Sequence, residues 1–194
     1  MVRPTILAAV VLAVTAAPVQ AQNAQFRCPA SGTVVEQSVG TRISYRGQDA
    51  GDPLVCRTAD GQRRFLGYWS ASSLFYRAGG VQLAKLLMGG SREERINYFS
   101  PGRDSNSVHI FETWRVLGTN PVETTAGTFD ALRVQRQFEV AGSAYSYLET
   151  IWLDRASGAP VKVEVNHLNG FMAPNVMAWE ATDLRTGTPR SPGS

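Results

Sequence analysis

The chain has 194 residues, with 19 basic and 16 acidic side chains and a formal net charge of +3. Seventeen of the basic residues are arginines, and they are scattered along the chain without interleaved aromatic residues. Because nucleic-acid binders gather their basic residues on one face or stripe, this distribution argues against a nucleic-acid partner.

The N-terminus predicts export. Arg3 precedes the apolar run Ile6–Val19, and small residues favour cleavage by signal peptidase after Ala21, or alternatively after Ala24. The run is shorter than the ~20 residues that a membrane helix needs, and no later stretch approaches that length. We therefore expect a signal peptide over residues 1–21, no membrane span in the mature chain, and a periplasmic or secreted location.

Cys28 and Cys56 are the only cysteines. An even number of cysteines in an exported chain favours a disulfide, which would stabilise the fold by roughly 3–4 kcal/mol in the chain-entropy model. The alternatives are two free thiols or a metal pair. Zinc would need two further ligands, and the histidines, His109 and His167, lie far along the chain.

The first half of the chain predicts strands. Residues 31–37 and 40–47 are β-prone runs bounded by glycine, and residues 47–53 have the composition of a loop. In residues 54–69, Asp60-Gly61 separates two β-prone runs. This dipeptide suits a type I′ turn, whose two central residues need positive φ, so we predict a hairpin here.

The middle of the chain predicts helices. In Val81–Met88 only Gln82 and Lys85 are polar, and their spacing leaves a wide apolar face that ends at Gly89-Gly90. Ser91 and Glu94 then match a capping box, which predicts a second short helix through Phe99. Residues 100–107 read as a loop.

After residue 107 the chain again predicts strands, over residues 108–118, 121–142, 143–154, 159–168 and 175–185. Short strands joined by tight turns pair antiparallel, because parallel pairs need long crossovers. The expected domain covers residues 22–185, with the meander over 108–185. The polar, Pro- and Gly-containing tail, 186–194, is expected to be disordered.

Phe129 lies out of register with the apolar positions that begin at Leu132. A turn at Ala126-Gly127, followed by a β-bulge before Leu132, would explain this spacing. In residues 143–154, Tyr147 and Trp152 lie on opposite faces of one strand, so both of its faces must be covered. The fold expected is mainly β with minor α: a curved antiparallel meander, or half-barrel, whose concave face is covered by one or two short helices.

The segments "AGTFDALRV" and "GAPVKVE", with Trp152 between them, resemble a family of uncharacterised bacterial periplasmic domains with an Ala-Gly-Thr-Phe turn and a Pro-Val-Lys strand. Such domains are similar in shape to lipoprotein carriers of the LolA and LolB type. The resemblance covers residues 108–185 and implies a half-barrel sheet with helices over an apolar concave face. It implies no catalytic residues.

The sequence contains no nucleophile elbow, zinc-protease motif, phosphate loop or dinucleotide-binding glycine pattern. We therefore expect no enzymatic activity and no cofactor. We also expect no metal site, since Asp49 and Asp52 alone offer too few ligands for calcium. The leading hypothesis is a module that binds an apolar or lipid-like ligand between helix and sheet, lined by Leu83, Leu87, Trp114, Tyr147, Trp152 and Trp179.

Three alternatives stay open. The same apolar residues could form a dry core, as residues at such spacings most often do. The protein could be an envelope assembly module whose exposed strand edge pairs with another envelope protein. It could also be a hydrolase with an unrecognised site, which requires His109 or His167 within hydrogen-bonding distance of a hydroxyl and a carboxylate.

Overall fold

The computed structural model describes residues 26–101, 106–169 and 176–187. The predicted signal peptide and residues 188–194 of the predicted tail lie outside the described residues. Thr186 and Gly187 are described, and the Gly187 amide donates to Thr33 Oγ1 at 3.0 Å. Within the described part of the chain, no helix is both long enough and apolar enough to cross a membrane.

One antiparallel sheet of eleven strands makes up most of the structure, in the order β5-β4-β3-β2-β1-β11-β10-β9-β8-β7-β6. Helix α1 connects the two edge strands β5 and β6 along the chain. The bounds are β1 Val34–Gln37, β2 Arg42–Asp49, β3 Asp52–Thr58, β4 Arg63–Phe65, β5 Trp69–Ser70, α1 Leu74–Leu87, β6 Glu93–Pro101, β7 Ser107–Thr124, β8 Gly127–Val140, β9 Ser146–Asp154, β10 Pro160–His167 and β11 Trp179–Arg185.

The predicted mainly-β antiparallel meander is confirmed. Strands β6 to β11 pair in chain order, and β11 pairs with β1 to join the meander to the first five strands. The predicted disulfide is also confirmed, because Cys28 is bonded to Cys56 with their Cα atoms 5.4 Å apart. It ties the segment before β1 to β3, the third strand from β11 in the sheet.

Helix α1 begins earlier than predicted, at Leu74, and ends as predicted before two glycines. Gly89 has a φ of 80°, and the Gly90 amide donates to the Lys85 carbonyl at 2.8 Å, which closes the helix C-terminus. The helix packs mainly on β6 and also on β7. We call the face of the sheet that it covers the inner face.

The predicted second helix over Ser91–Phe99 is wrong, because this segment forms strand β6. Nine residues, Glu93–Pro101, pair in unbroken register with β7. Ile96 points to the inner face and is buried, whereas its neighbours Arg95 and Asn97 are exposed. The pairing with β7 and the burial of Ile96 thus override the helix that the local capping pattern favours, because local helix propensity is a weak signal.

The hairpin at Asp60-Gly61 is confirmed, but its turn is not type I′. Gly61 has a φ of 84°, whereas Asp60 has no positive φ, and the Thr58 carbonyl accepts from Gly61 while the Thr58 amide donates to Gln62. This is a type I turn followed by a glycine bulge. Positive φ at both central residues occurs in the next turn, at Leu66 (52°) and Gly67 (72°).

The turn near Phe129 lies one residue earlier than predicted, at Thr125-Ala126, because Thr124 pairs with Gly127. The predicted bulge before Leu132 is wrong, since β8 pairs with β9 without a shift. The bulge lies on the opposing strand β7, between Val116 and Gly118, and Gly118 has a φ of 86°. Phe129 therefore follows simple alternation and lies on the outer face, opposite Leu132.

Gly79 interrupts α1 where the helix approaches β6. Its φ of −130° is non-helical, and a Cβ at this position would lie 2.3 Å from Ile96 Cδ1. At the neighbouring Gly80 a Cβ would meet nothing closer than the Tyr76 ring, 3.8 Å away. The helix can therefore approach the sheet this closely only because residue 79 has no side chain.

We expect Gly79→Ala to lower the free energy of unfolding by about 1–3 kcal/mol, because an added methyl group overpacks the contact with Ile96. Gly80→Ala is the matched control and should leave stability unchanged or raise it by up to about 1 kcal/mol, since alanine favours the helix. Urea denaturation of the mature chain measures both. Equal effects of the two variants would contradict the close approach.

Candidate functional site

The six residues predicted to line a ligand cavity do not all lie on one face of the sheet. Five lie on the inner side of the sheet or on α1 and are almost fully buried: Leu83, Leu87, Trp114, Tyr147 and Trp179. Trp152 lies on the outer face of β9, where the Lys162 ammonium is 5.4 Å from its ring centroid. Strand alternation alone places Trp152 away from the other five.

The space between α1 and the inner face is filled by aromatic side chains. Four rings, one each from β4, β5, α1 and β7, pack edge-on or tilted. The Trp69 and Trp114 centroids are 5.0 Å apart, and the Phe75 and Trp114 centroids are 5.2 Å apart. Phe65 contacts the other three. Buried rings packed against one another in this way are what the dry-core alternative predicts.

A buried charge cluster lies beside these rings. Arg136 on β8 donates from Nε to Glu112 Oε2 at 3.0 Å and from a terminal nitrogen to Glu149 Oε2 at 3.3 Å. Glu112 on β7 and Glu149 on β9 are 1% and 2% exposed. Three adjacent strands thus each contribute one charged residue, and the guanidinium bridges the two carboxylates.

Each carboxylate also accepts one phenol and one indole. Tyr98 and Trp114 donate to Glu112 at 2.6 and 2.8 Å. Tyr68 and Trp69 donate to Glu149 at 3.1 and 2.9 Å. Buried carboxylates require such donors, because an unpaired buried charge costs several kcal/mol.

The electrostatics of the cluster follow from burial and charge. Burial alone would lower the pKa of Arg136, but Glu112 and Glu149 outweigh it and the pKa is raised. Burial, reinforced by the carboxylate that each phenol contacts, raises the pKa of Tyr98 and of Tyr68. Arg136 therefore stays a cation at neutral pH, and the two phenols stay neutral.

Sequence reasoning missed this cluster, although a signal was present. Each of the three residues interrupts an otherwise apolar face: Glu112 between Ile110 and Trp114, Arg136 between Val134 and Phe138, and Glu149 between Tyr147 and Ile151. One charged residue on the buried face of three successive predicted strands indicates a paired cluster, since such charges are rarely buried unless paired.

A groove of about 590 Å³ lies on the opposite side of α1, between the helix and the turn that joins β2 to β3. Its apolar walls include Phe26, Leu54, Val81, Leu87 and Met88. Val81 and Met88 are 83% and 71% exposed, so the helix presents apolar surface on this side as well. Leu87 is the one predicted ligand residue that lines the groove.

The two histidines named by the hydrolase alternative lie outside the buried charge cluster. His109 lies between the rings of Phe99 and Phe111, at centroid distances of 4.6 and 4.3 Å, and its Nε2 has no hydrogen-bond partner. His167 Nδ1 likewise has none. Within residues 26–101, 106–169 and 176–187, no group of three or more His, Cys, Asp or Glu residues could hold a metal ion.

Comparisons with known proteins give no relative. No family model matches the chain, no curated protein matches it, and no solved structure matches it. The function is therefore inferred from the fold and from the arrangement of the side chains.

We expect Arg136→Met to lower the free energy of unfolding by about 3–5 kcal/mol, because it leaves two carboxylates buried without a cation. Arg133→Met is the matched control on the outer face of the same strand and should cost about 1 kcal/mol or less. The combined variant Glu112→Gln, Arg136→Met, Glu149→Gln should lose less than Arg136→Met alone, since it leaves no unpaired charge. Chemical denaturation measures all three. A combined variant that is less stable than Arg136→Met alone would refute the pairing.

Stability should also fall in alkali. In the unfolded chain a tyrosine ionises near pH 10, whereas burial raises the pKa of Tyr68, Tyr98 and Tyr147 in the folded protein. The stability linked to these phenols is complete below about pH 10 and is lost as the pH rises further. Denaturation midpoints between about pH 8 and pH 11 test this, and the double variant Tyr68→Phe, Tyr98→Phe should show a shallower decline.

Proposed function

We propose that the protein is an exported, non-catalytic module that binds an apolar or lipid-like ligand in the groove between α1 and the β2–β3 turn. The observation that carries the proposal is the groove of about 590 Å³ with mainly apolar walls. Ligand pockets commonly have volumes of about 300–1,000 Å³ and are lined mostly by apolar side chains. The location proposed for the ligand is thus the outer side of the helix, and the filled inner side serves as the core.

The exposure of Val81 and Met88 supports this assignment. Helices on the surface of a soluble domain usually bury one apolar stripe and present polar residues opposite. Here Leu83 and Leu86 are buried on one side, while Val81 and Met88 are exposed on the other. Apolar surface that lines a concavity is typical of a binding site, whereas isolated exposed apolar residues are common.

Export to the periplasm is part of the same proposal. The Cys28–Cys56 disulfide supports an oxidising compartment, and the signal-like N-terminus supports secretion. The likeness to lipoprotein carriers remains a hypothesis about shape. In such carriers the ligand would lie under the helices, whereas here that space is occupied by Trp69, Phe75 and Trp114.

An interaction module is the second candidate, and strand β6 is the observation that favours it. This nine-residue strand forms an edge of the sheet, and edge strands can pair with an added strand of a partner. Phe99, near its end, is 64% exposed and stacks on His109. Crosslinking from a photoreactive residue at position 97 in cells would capture a partner strand if this edge is used.

The ligand proposal is tested with Val81→Glu in the mature chain. The substitution puts a charge on the groove wall at an exposed helix position, where glutamate is a good helix former. We expect uptake of a fluorescent fatty acid, at one molecule per chain, to be lost while the thermal midpoint is unchanged.

Val39→Glu is the matched control, because Val39 is also exposed and does not line the groove. It should bind the probe as the wild type does. If the wild-type chain took up no probe, or if both variants lost binding equally, the groove would not be the site.

A further inference from the structure

This inference rests on the proposed function and concerns the class of ligand. One stripe of α1 runs along the groove, formed by Arg77, Val81, Ala84 and Met88 at spacings of four, three and four residues. Positions at these spacings lie on one side of a helix. The stripe spans about 16 Å at the helical rise, and it is polar at its N-terminal end and apolar beyond.

Arg77 carries the one charge on this stripe, and that charge is unpaired. Its guanidinium makes no hydrogen bond or ion pair with any residue in the described part of the chain. Some other arginines near the surface are paired: Arg63 Nε lies 3.0 Å from Asp49 Oδ2, and Arg115 Nε lies 2.7 Å from Glu93 Oε2. An arginine on the wall of an apolar groove is therefore free to contact a ligand.

The carboxylate that also lines the groove is already engaged. Asp52 accepts the Tyr76 hydroxyl at 2.6 Å and the Leu54 amide at 3.0 Å. These bonds occupy one contact on each carboxylate oxygen, and Asp52 forms no ion pair with Arg77. The unpaired charged group on the groove wall is thus a cation, which favours an acceptor of negative charge.

The geometry points to an amphiphile with an acidic head group as the ligand. The head, a carboxylate or a phosphate, accepts from the Arg77 guanidinium, whose fork of donors matches either group. The apolar tail lies along Val81, Ala84 and Met88 and faces Leu54 across the groove. A neutral amphiphile would gain the tail contacts alone.

The test compares dodecanoic acid, dodecyl phosphate and dodecanol, titrated into the mature protein by displacement of a fluorescent apolar probe. The wild type should bind both acids more tightly than the alcohol. Arg77→Gln should weaken binding of the acids by about 5- to 10-fold, as expected for a partly exposed charged contact, and should leave dodecanol binding unchanged. Arg77→Lys should retain most of the affinity for the acids.

Two controls separate charge from fold. Arg46→Gln removes the same charge from an exposed position on β2, away from the groove, and should leave all three affinities unchanged. Added salt should weaken binding of the acids to the wild type more than to Arg77→Gln, because screening acts on the ion pair. The difference between the two acids identifies the head group.

The outcomes distinguish this inference from the function on which it rests. Equal affinities for acid and alcohol, with no effect of Arg77→Gln, would overturn the acidic head group and leave the groove as an apolar site. Failure of all three compounds to displace the probe, or of the protein to bind the probe, would overturn the proposed function itself.

Discussion

The buried bridge from Arg136 to Glu112 and Glu149 constrains the rest of this structure. A guanidinium stays charged in proteins, so Arg136 can be buried only where carboxylates surround it. A shift of one residue in β8 would move Arg136 to the outer face and break its contacts with both glutamates. The register of β7, β8 and β9 is thus tied to one set of charge-assisted hydrogen bonds.

The same cluster positions the chain that crosses the inner face. Tyr68 and Trp69 donate to Glu149 from the other end of the sheet, and the Phe75 ring lies 4.8 Å from the Arg136 guanidinium carbon. The turn that presents Tyr68 and Trp69 places Leu66 at positive φ, a conformation that disfavours a side chain by roughly 1–2 kcal/mol. Complete burial of Leu66 offsets that cost.

A filled inner face changes where a ligand can bind. Aromatic rings occupy the space under α1, and the groove proposed for the ligand lies beyond the helix, against the β2–β3 turn. The kink at Gly79 lets one side of the helix pack on Ile96, while Val81 and Met88 face the groove. Core and proposed binding site therefore use two sides of one helix, which explains why so few of its positions are polar.

The sequence by itself determined what depends on neighbours along the chain: the disulfide pair, the apolar helix with its glycine end, the hairpin at Asp60-Gly61 and the antiparallel meander. Tertiary structure decided what depends on pairing across the sheet. Local capping residues favoured a helix at Ser91, but pairing with β7 made this segment a strand. A β-bulge can form on either strand of a pair, and here it lies on β7 and not on β8. The charge cluster was decided in the same way, since the register of the strands brings Glu112, Arg136 and Glu149 together. The position of the groove was also decided by tertiary structure, because it depends on how large side chains from distant segments pack.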